Sequence, residues 1–162
     1  MLLTGDIGGT KTILALYEER SNPTAPLREE TYASGRYDSL EAVIREFLQS
    51  RQGGQPQVQR AVFGLAGPVV SGRATLPNLP WVIEETKLKR EFGFPTVAMI
   101  NDLEAIGYAV PALAGRDLER IKQGSAEARG NIAVLAPGTG LGETFLSWNG
   151  TVSYTHLRAH ET

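Results

Sequence analysis

The sequence predicts an α/β fold, a mixed sheet with flanking helices, on three observations. Short apolar runs of strand character recur at 1–3, 13–17, 58–66, 96–100 and 131–136. A helix with one apolar stripe falls among them at 39–51. Two runs end in glycine-rich turns and a third ends in Asn101-Asp102. Open α/β sheets place their ligands at such strand ends.

The bulk numbers bound the classes. The 162 residues form one domain, or one and part of another. Hydrophobic content of 41% with 21% charged residues suits a soluble globular protein with a packed core. A formal net charge of −2 without a basic stripe argues against nucleic acid or an anionic membrane as partner. The absence of cysteine excludes disulfides and thiolate zinc and fits a cytoplasmic setting. The N-terminus lacks the charged and apolar regions of a signal peptide, and no apolar run reaches the roughly 20 residues of a membrane span.

The first element is strand, tight turn, strand: Met1–Leu3 leads into Thr4-Gly5-Asp6-Ile7-Gly8-Gly9-Thr10-Lys11-Thr12, and Ile13–Tyr17 leads out. Gly8 and Gly9 admit positive φ and close backbone approach. Their N–H groups, the Thr10 hydroxyl and the Lys11 ammonium would face an anion together. Asp6 suits a hydrated Mg²⁺. A Gly-Gly hairpin with a charged rim is the equally weighted alternative for this stretch alone. Thr10 separates Gly9 from Lys11 and a strand follows, so a P-loop fits poorly, and no G-x-G-x-x-G spacing occurs.

A polar loop at 20–26 precedes a third antiparallel strand at 28–33 and a turn at 35–38. In the helix at 39–51, Leu40, Val43, Ile44, Phe47 and Leu48 form the apolar face, with Asp38 as cap and Glu41 completing a capping box. A linker at 52–57 leads to the near-continuous apolar strand 58–66, expected inside a sheet covered on both faces. A short hairpin around Ser71-Gly72 follows. Pro77-Asn78-Leu79-Pro80-Trp81 then reads as a loop pinned to the core, or as one whose Asn78 amide bonds a ligand hydroxyl. A helix at 84–92 ends at Gly93, and a strand at 96–100 stops at Asn101-Asp102 before a helix at 103–110. Either residue of that pair can cap the helix. An edge strand is expected at 118–123, a buried strand at 131–136 and a further strand at 145–148. Between the last two lies a second glycine-rich turn, Pro137-Gly138-Thr139-Gly140-Leu141-Gly142.

Taken together these segments resemble the bacterial glucokinase family of the actin–hexokinase–heat-shock ATPase superfamily. Residues 5–11 resemble its first phosphate motif, 66–69 and 76–81 its sugar-binding segment, 100–102 its catalytic segment and 136–142 its second phosphate motif. The likeness runs over about residues 2–150. It implies a ribonuclease-H-like (actin/hexokinase-type) fold. Residues 1–110 would be the small domain with the first phosphate motif and catalytic Asp, and 111–150 the start of the larger one. It also implies ATP-dependent phosphorylation of glucose at its 6-hydroxyl, the first step of glycolysis. Asp102 would be the general base, and Asn78, Asn101 and Asp102 would bind the sugar. Gly5, Asp6, Ile7, Gly8, Gly9, Thr10 and Lys11, with Gly138, Thr139 and Gly140, would bind ATP. Asp6 would hold Mg²⁺ through water. The implied full-length protein is a homodimer.

Members of the family run to roughly twice this length, so this chain is expected to be truncated and inactive by itself. Residues 151–162 match nothing expected there and read as a non-native tail. His156 and His160, four apart, would share a helix face, but no third metal ligand is evident. Two alternatives stand beside the glucokinase reading: a repressor-like (ROK-type) sugar or N-acetyl-sugar kinase, and a non-catalytic sugar-binding regulator on the same scaffold. No helix-turn-helix precedes the first motif, which weighs against the regulator.

Overall fold

The computed structural model describes residues 1–19, 25–49, 56–125, 130–137 and 141–148, and the backbone of 152–160. It has two compact units, Met1–Asp102 and Leu103–Thr162.

In the first unit, β1 (Leu2–Ile7) and β2 (Lys11–Tyr17) form the N-terminal hairpin, and β3 (Arg28–Ala33) adds to it antiparallel. Helix α1 (Leu40–Gln49) follows, then β4 (Arg60–Leu65), which pairs parallel with β1. The short strands β5 (Val69–Val70), β6 (Arg73–Thr75) and β7 (Val82–Glu84) make a separate three-stranded sheet. Helix α2 (Glu85–Phe92) leads to β8 (Thr96–Asn101), parallel to β4. The main sheet therefore runs β3-β2-β1-β4-β8. This mixed sheet, antiparallel on one side and parallel on the other, carries the α/β architecture expected.

The period of two along each strand puts the core on one face. Leu3 and Ile7, Leu14 and Leu16, Ala61, Phe63 and Leu65, and Val97 and Met99 occupy facing register positions and are buried. Leu40, Val43, Ile44, Phe47 and Leu48 of α1, with Trp81, Ile83 and Leu88, complete the same cluster. Continuous burial of β4 on both faces is not what forms: Val62 and Gly64 alternate with its buried residues as half-buried positions.

Several local expectations change. The Ser39 hydroxyl, not Asp38, caps α1 by accepting the Ala42 N–H at 3.3 Å. Glu41 is buried instead and meets Lys87 of α2 as an ion pair at 2.9 Å. Residues 82–84 form β7 before α2 begins. Ser71 and Gly72 take φ 51 and 72, the two positive values a tight hairpin turn needs. Gly93 ends α2 in the left-handed conformation.

Helix α3 (Asp102–Ala109) begins at the junction of the two units. In the second unit β9 (Ile132–Pro137), β10 (Leu141–Trp148) and β11 (Val152–His160) form an antiparallel sheet ordered β11-β10-β9. Residues 118–123 are irregular, not an edge strand. Strand β9 is largely exposed, with Leu135 at 65%, where the apolar run predicts burial. His156 and His160 fall in a strand, so no helix face joins them. No helix among the described residues is long and apolar enough to cross a membrane.

Candidate active site

The parallel pairing levels three strand ends. Ile7 of β1 stands opposite Leu65 of β4, which stands opposite Asn101 of β8. The residues that follow these positions, the Gly8–Thr10 turn, Ala66-Gly67 and Asp102, leave the sheet from one edge. Brought to that edge, two of the sequence-predicted segments lie near one another although 95 residues of chain lie between Asp6 and Asp102: Asp102 acts electrostatically on Asp6.

The turn is closed by Gly8 N–H donating to the Lys11 carbonyl at 3.0 Å. That bond removes Gly8 N–H from the donor cluster expected to face an anion. Neither Gly8 nor Gly9 takes positive φ, so their role is spatial. A Cβ on Gly9 would lie 3.1 Å from the Asn78 Cβ, and one on Gly8 would lie 3.1 Å from the Lys11 carbonyl oxygen. Asn78 is thus laid directly against the turn, on the connection between β6 and β7. Its loop is pinned by Trp81, which is 2% exposed and whose indole N–H donates to the Tyr37 carbonyl at 3.0 Å.

Gly5 and Ile7 belong to the wall behind the turn. A Cβ on Gly5 would come within 2.7 Å of Phe63 Cδ1, and the Ile7 side chain is fully buried in the core. Asp6, Thr10 and Lys11 are exposed. The Asp6 carboxyl leaves the sheet on the face opposite the core. Partial loss of its hydration lifts its pKa above the usual carboxylate value, Asp102 lifts it further, and Lys11 opposes both.

Asn101 points its amide group sideways along the edge. Nδ2–H donates to the Gly67 carbonyl at 3.0 Å and lies 3.5 Å from that of Leu65. These bonds tie the end of β8 to the turn leaving β4 and fix the backbone entering α3. Asp102 is the first residue of that helix. Gly138, Thr139 and Gly140 lie outside the described residues. Next to them, Gly142 is a packing residue: a Cβ there would stand 2.7 Å from Leu103 Cδ2.

Two carboxylates and one ammonium converge here, with Asn78 alongside. Among the described residues no group of three or more His, Asp or Glu stands close enough to enclose a metal. Two carboxylates completed by waters and phosphate oxygens are nevertheless a donor set that suits Mg²⁺. A divalent cation would also offset the Asp102 repulsion that adds to burial in raising the Asp6 pKa. Sequence reasoning missed Ser34, which is buried beneath the turn and bonds to it. Its one signal was a small polar residue directly after an edge strand.

The glucokinase family model matches residues 3–159, a range that includes most of β11. The chain is 39% identical to the glucokinase of Trichormus variabilis over 148 residues, 90% of this chain and 43% of that protein. It is 36% identical to the glucokinase of a Synechocystis species over 160 residues, 94% of this chain and 45% of that protein. The crystal structure of a glucokinase from an Antarctic psychrotroph superposes with a TM-score of 0.78 at 30% identity, over 95% of this chain and 49% of that one. A ROK family glucokinase from Streptomyces griseus, solved in complex with glucose and AMPPNP, shares the fold at 24% identity and a TM-score of 0.54, over 96% of this chain and 46% of that one. The chain spans less than half the length of these curated relatives. With a match over nearly every residue, it belongs to the glucokinase family.

Proposed function

We propose that the protein carrying this chain transfers the γ-phosphoryl group of ATP to the 6-hydroxyl of glucose. The observation that supports it most is the meeting of Asp6, Lys11 and Asp102 at one sheet edge, with Asn78 against the Gly8–Gly9 turn. In this reading the Asp102 carboxylate takes the proton of the sugar 6-hydroxyl as that oxygen bonds to the γ-phosphorus and the bond to the β–γ bridging oxygen breaks. Phosphoryl transfer depends on placement and charge neutralisation more than on a strong base, so a carboxylate suffices.

Asn78 and the Asn101 side-chain carbonyl bond sugar hydroxyls, and an analogue lacking one would leave a polar group unpaired. Gly9, Thr10 and Lys11 hold phosphate oxygens, and Gly138, Thr139 and Gly140 take part in binding the same nucleotide. Asp6 holds Mg²⁺ through water. When bound, that ion neutralises phosphate charge and fixes the phosphate conformation. Glycolysis, the cytoplasm and a homodimeric assembly belong to the same proposal.

The test is a coupled assay of the full-length protein. ATP consumption that requires glucose supports the reading. Tight glucose binding with no sugar-dependent turnover would replace it with a sugar-binding regulator.

A further inference from the structure

Beneath the phosphate turn lies a pair of fully buried hydroxyls. Ser34 sits directly after β3, where the pairing of Lys11 with Ala33 brings it beside Thr10. Its backbone N–H donates to the Thr10 carbonyl at 3.0 Å, and its hydroxyl donates to the Gly8 carbonyl at 2.8 Å. Thr12 Oγ1 lies 3.0 Å from Ser34 Oγ, and both residues are 0% exposed. A serine hydroxyl has one proton. The Gly8 bond uses it, so Thr12 is the donor to Ser34, and the chain runs from Thr12 through Ser34 to the Gly8 carbonyl.

This chain has a directional consequence. In a trans peptide the C=O and N–H point to opposite sides. With the Gly8 carbonyl drawn inward to Ser34, the Gly9 N–H of the same peptide is turned away from the buried side. Two consecutive glycines supply no side chain to fix that plane themselves. Ser34 bonds the turn at both Gly8 and Thr10.

We propose that Ser34 is the positioning residue of the phosphate turn, setting the Gly8–Gly9 peptide so that Gly9 N–H meets a phosphate oxygen of the nucleotide. The inference rests on the kinase reading above. Ser34 acts through Gly8 and does not touch the ligand, so its effect falls on the nucleotide and not on the sugar.

The experiment compares Ser34→Ala and Thr12→Val with wild type in the full-length protein. Ser34→Ala should raise the KM for ATP about tenfold, the equivalent of one lost bond of about 1.4 kcal/mol, with the glucose KM within about twofold. Thr12→Val keeps the Ser34–Gly8 bond and should raise the ATP KM about two- to fivefold, which serves if Ser34→Ala does not fold. An unchanged ATP KM in the folded variants, or equal rises in both KM values, overturns the proposal. Absence of turnover in wild type would instead sink the kinase reading. Ser34 is then judged by the Gly9 amide resonance during titration with inorganic triphosphate. A wild-type shift that weakens in Ser34→Ala supports the role, while equal titrations or no wild-type shift overturn it.

Discussion

Adding to the larger effect of burial, Asp102 raises the pKa of Asp6 across the end of β4, the strand that separates theirs. The pair sets a sign for the pH dependence of stability. Unfolded Asp6 ionises near 3.8, while the folded residue holds its proton to higher pH. As pH rises from below 3.8 through the raised value, the unfolded chain releases its proton first and stability falls. The loss is complete above the folded pKa. Without Mg²⁺, Asp6→Asn should therefore unfold at a higher temperature than wild type at pH 7, and the difference should shrink toward pH 3. Calorimetry in a chelating buffer checks this, and a difference that grows on acidification would refute it.

Asp102→Asn tests the base directly in the full-length protein. The kcat for glucose phosphorylation should fall by about 10² to 10⁴, with both KM values within a few-fold. Turnover within a few-fold of wild type would remove Asp102 from the role. The same substitution should lower the Asp6 pKa, which an NMR titration of its carboxyl carbon reads independently of activity.

The loop carrying Asn78 depends on one indole. Trp81→Phe keeps an aromatic ring but leaves the Tyr37 carbonyl without its donor and opens space in the core. A loss of about 1–3 kcal/mol is expected in urea unfolding, with an unchanged m-value. A change below 0.5 kcal/mol, on the order of an ordinary surface substitution, would show that the indole does not hold the loop.

Two glycines make a controlled pair. A Cβ on Gly5 meets Phe63 at 2.7 Å, Ile7 at 2.9 Å and Leu14 at 3.0 Å, whereas one on Gly35 finds nothing within 4 Å. Gly5→Ala should cost about 1–3 kcal/mol by overpacking. Gly35→Ala should stay within about 0.5 kcal/mol. Equal midpoints for the two variants would contradict the packing behind the turn.

The parts of the fold legible in the sequence were those written in local pattern. The α1 stripe, the apolar run of β4, the Ser71-Gly72 turn and the stop at Gly93 each declare themselves within a few residues. What escaped was set by distant neighbours. Glu41 reads locally as a capping residue, but Lys87 of a later helix claims it. Ile132–Pro137 reads as buried because its residues are apolar, yet burial also requires a partner surface. The site divides the same way. Asp6 and Lys11 stand out in the glycine-rich hairpin turn, Asn78 in a loop bounded by prolines, and Asp102 at a strand end. The use of Gly8 N–H inside the turn depends on how the β1–β2 hairpin closes, and the burial of Ser34 under it on β2–β3 pairing, neither of which local pattern specifies.

The levelled strand ends have a practical corollary at the other end of the sheet. Met1 lies there, its ammonium donating to the Gln57 carbonyl at 3.0 Å and its own carbonyl accepting the Gln59 N–H at 2.8 Å. Six residues of β1, on the order of 20 Å, separate it from the Gly8–Thr10 turn. An affinity handle or surface tether joined at Met1 would extend away from the edge that carries Asp6 and Asp102, so immobilised protein should present the proposed site outward.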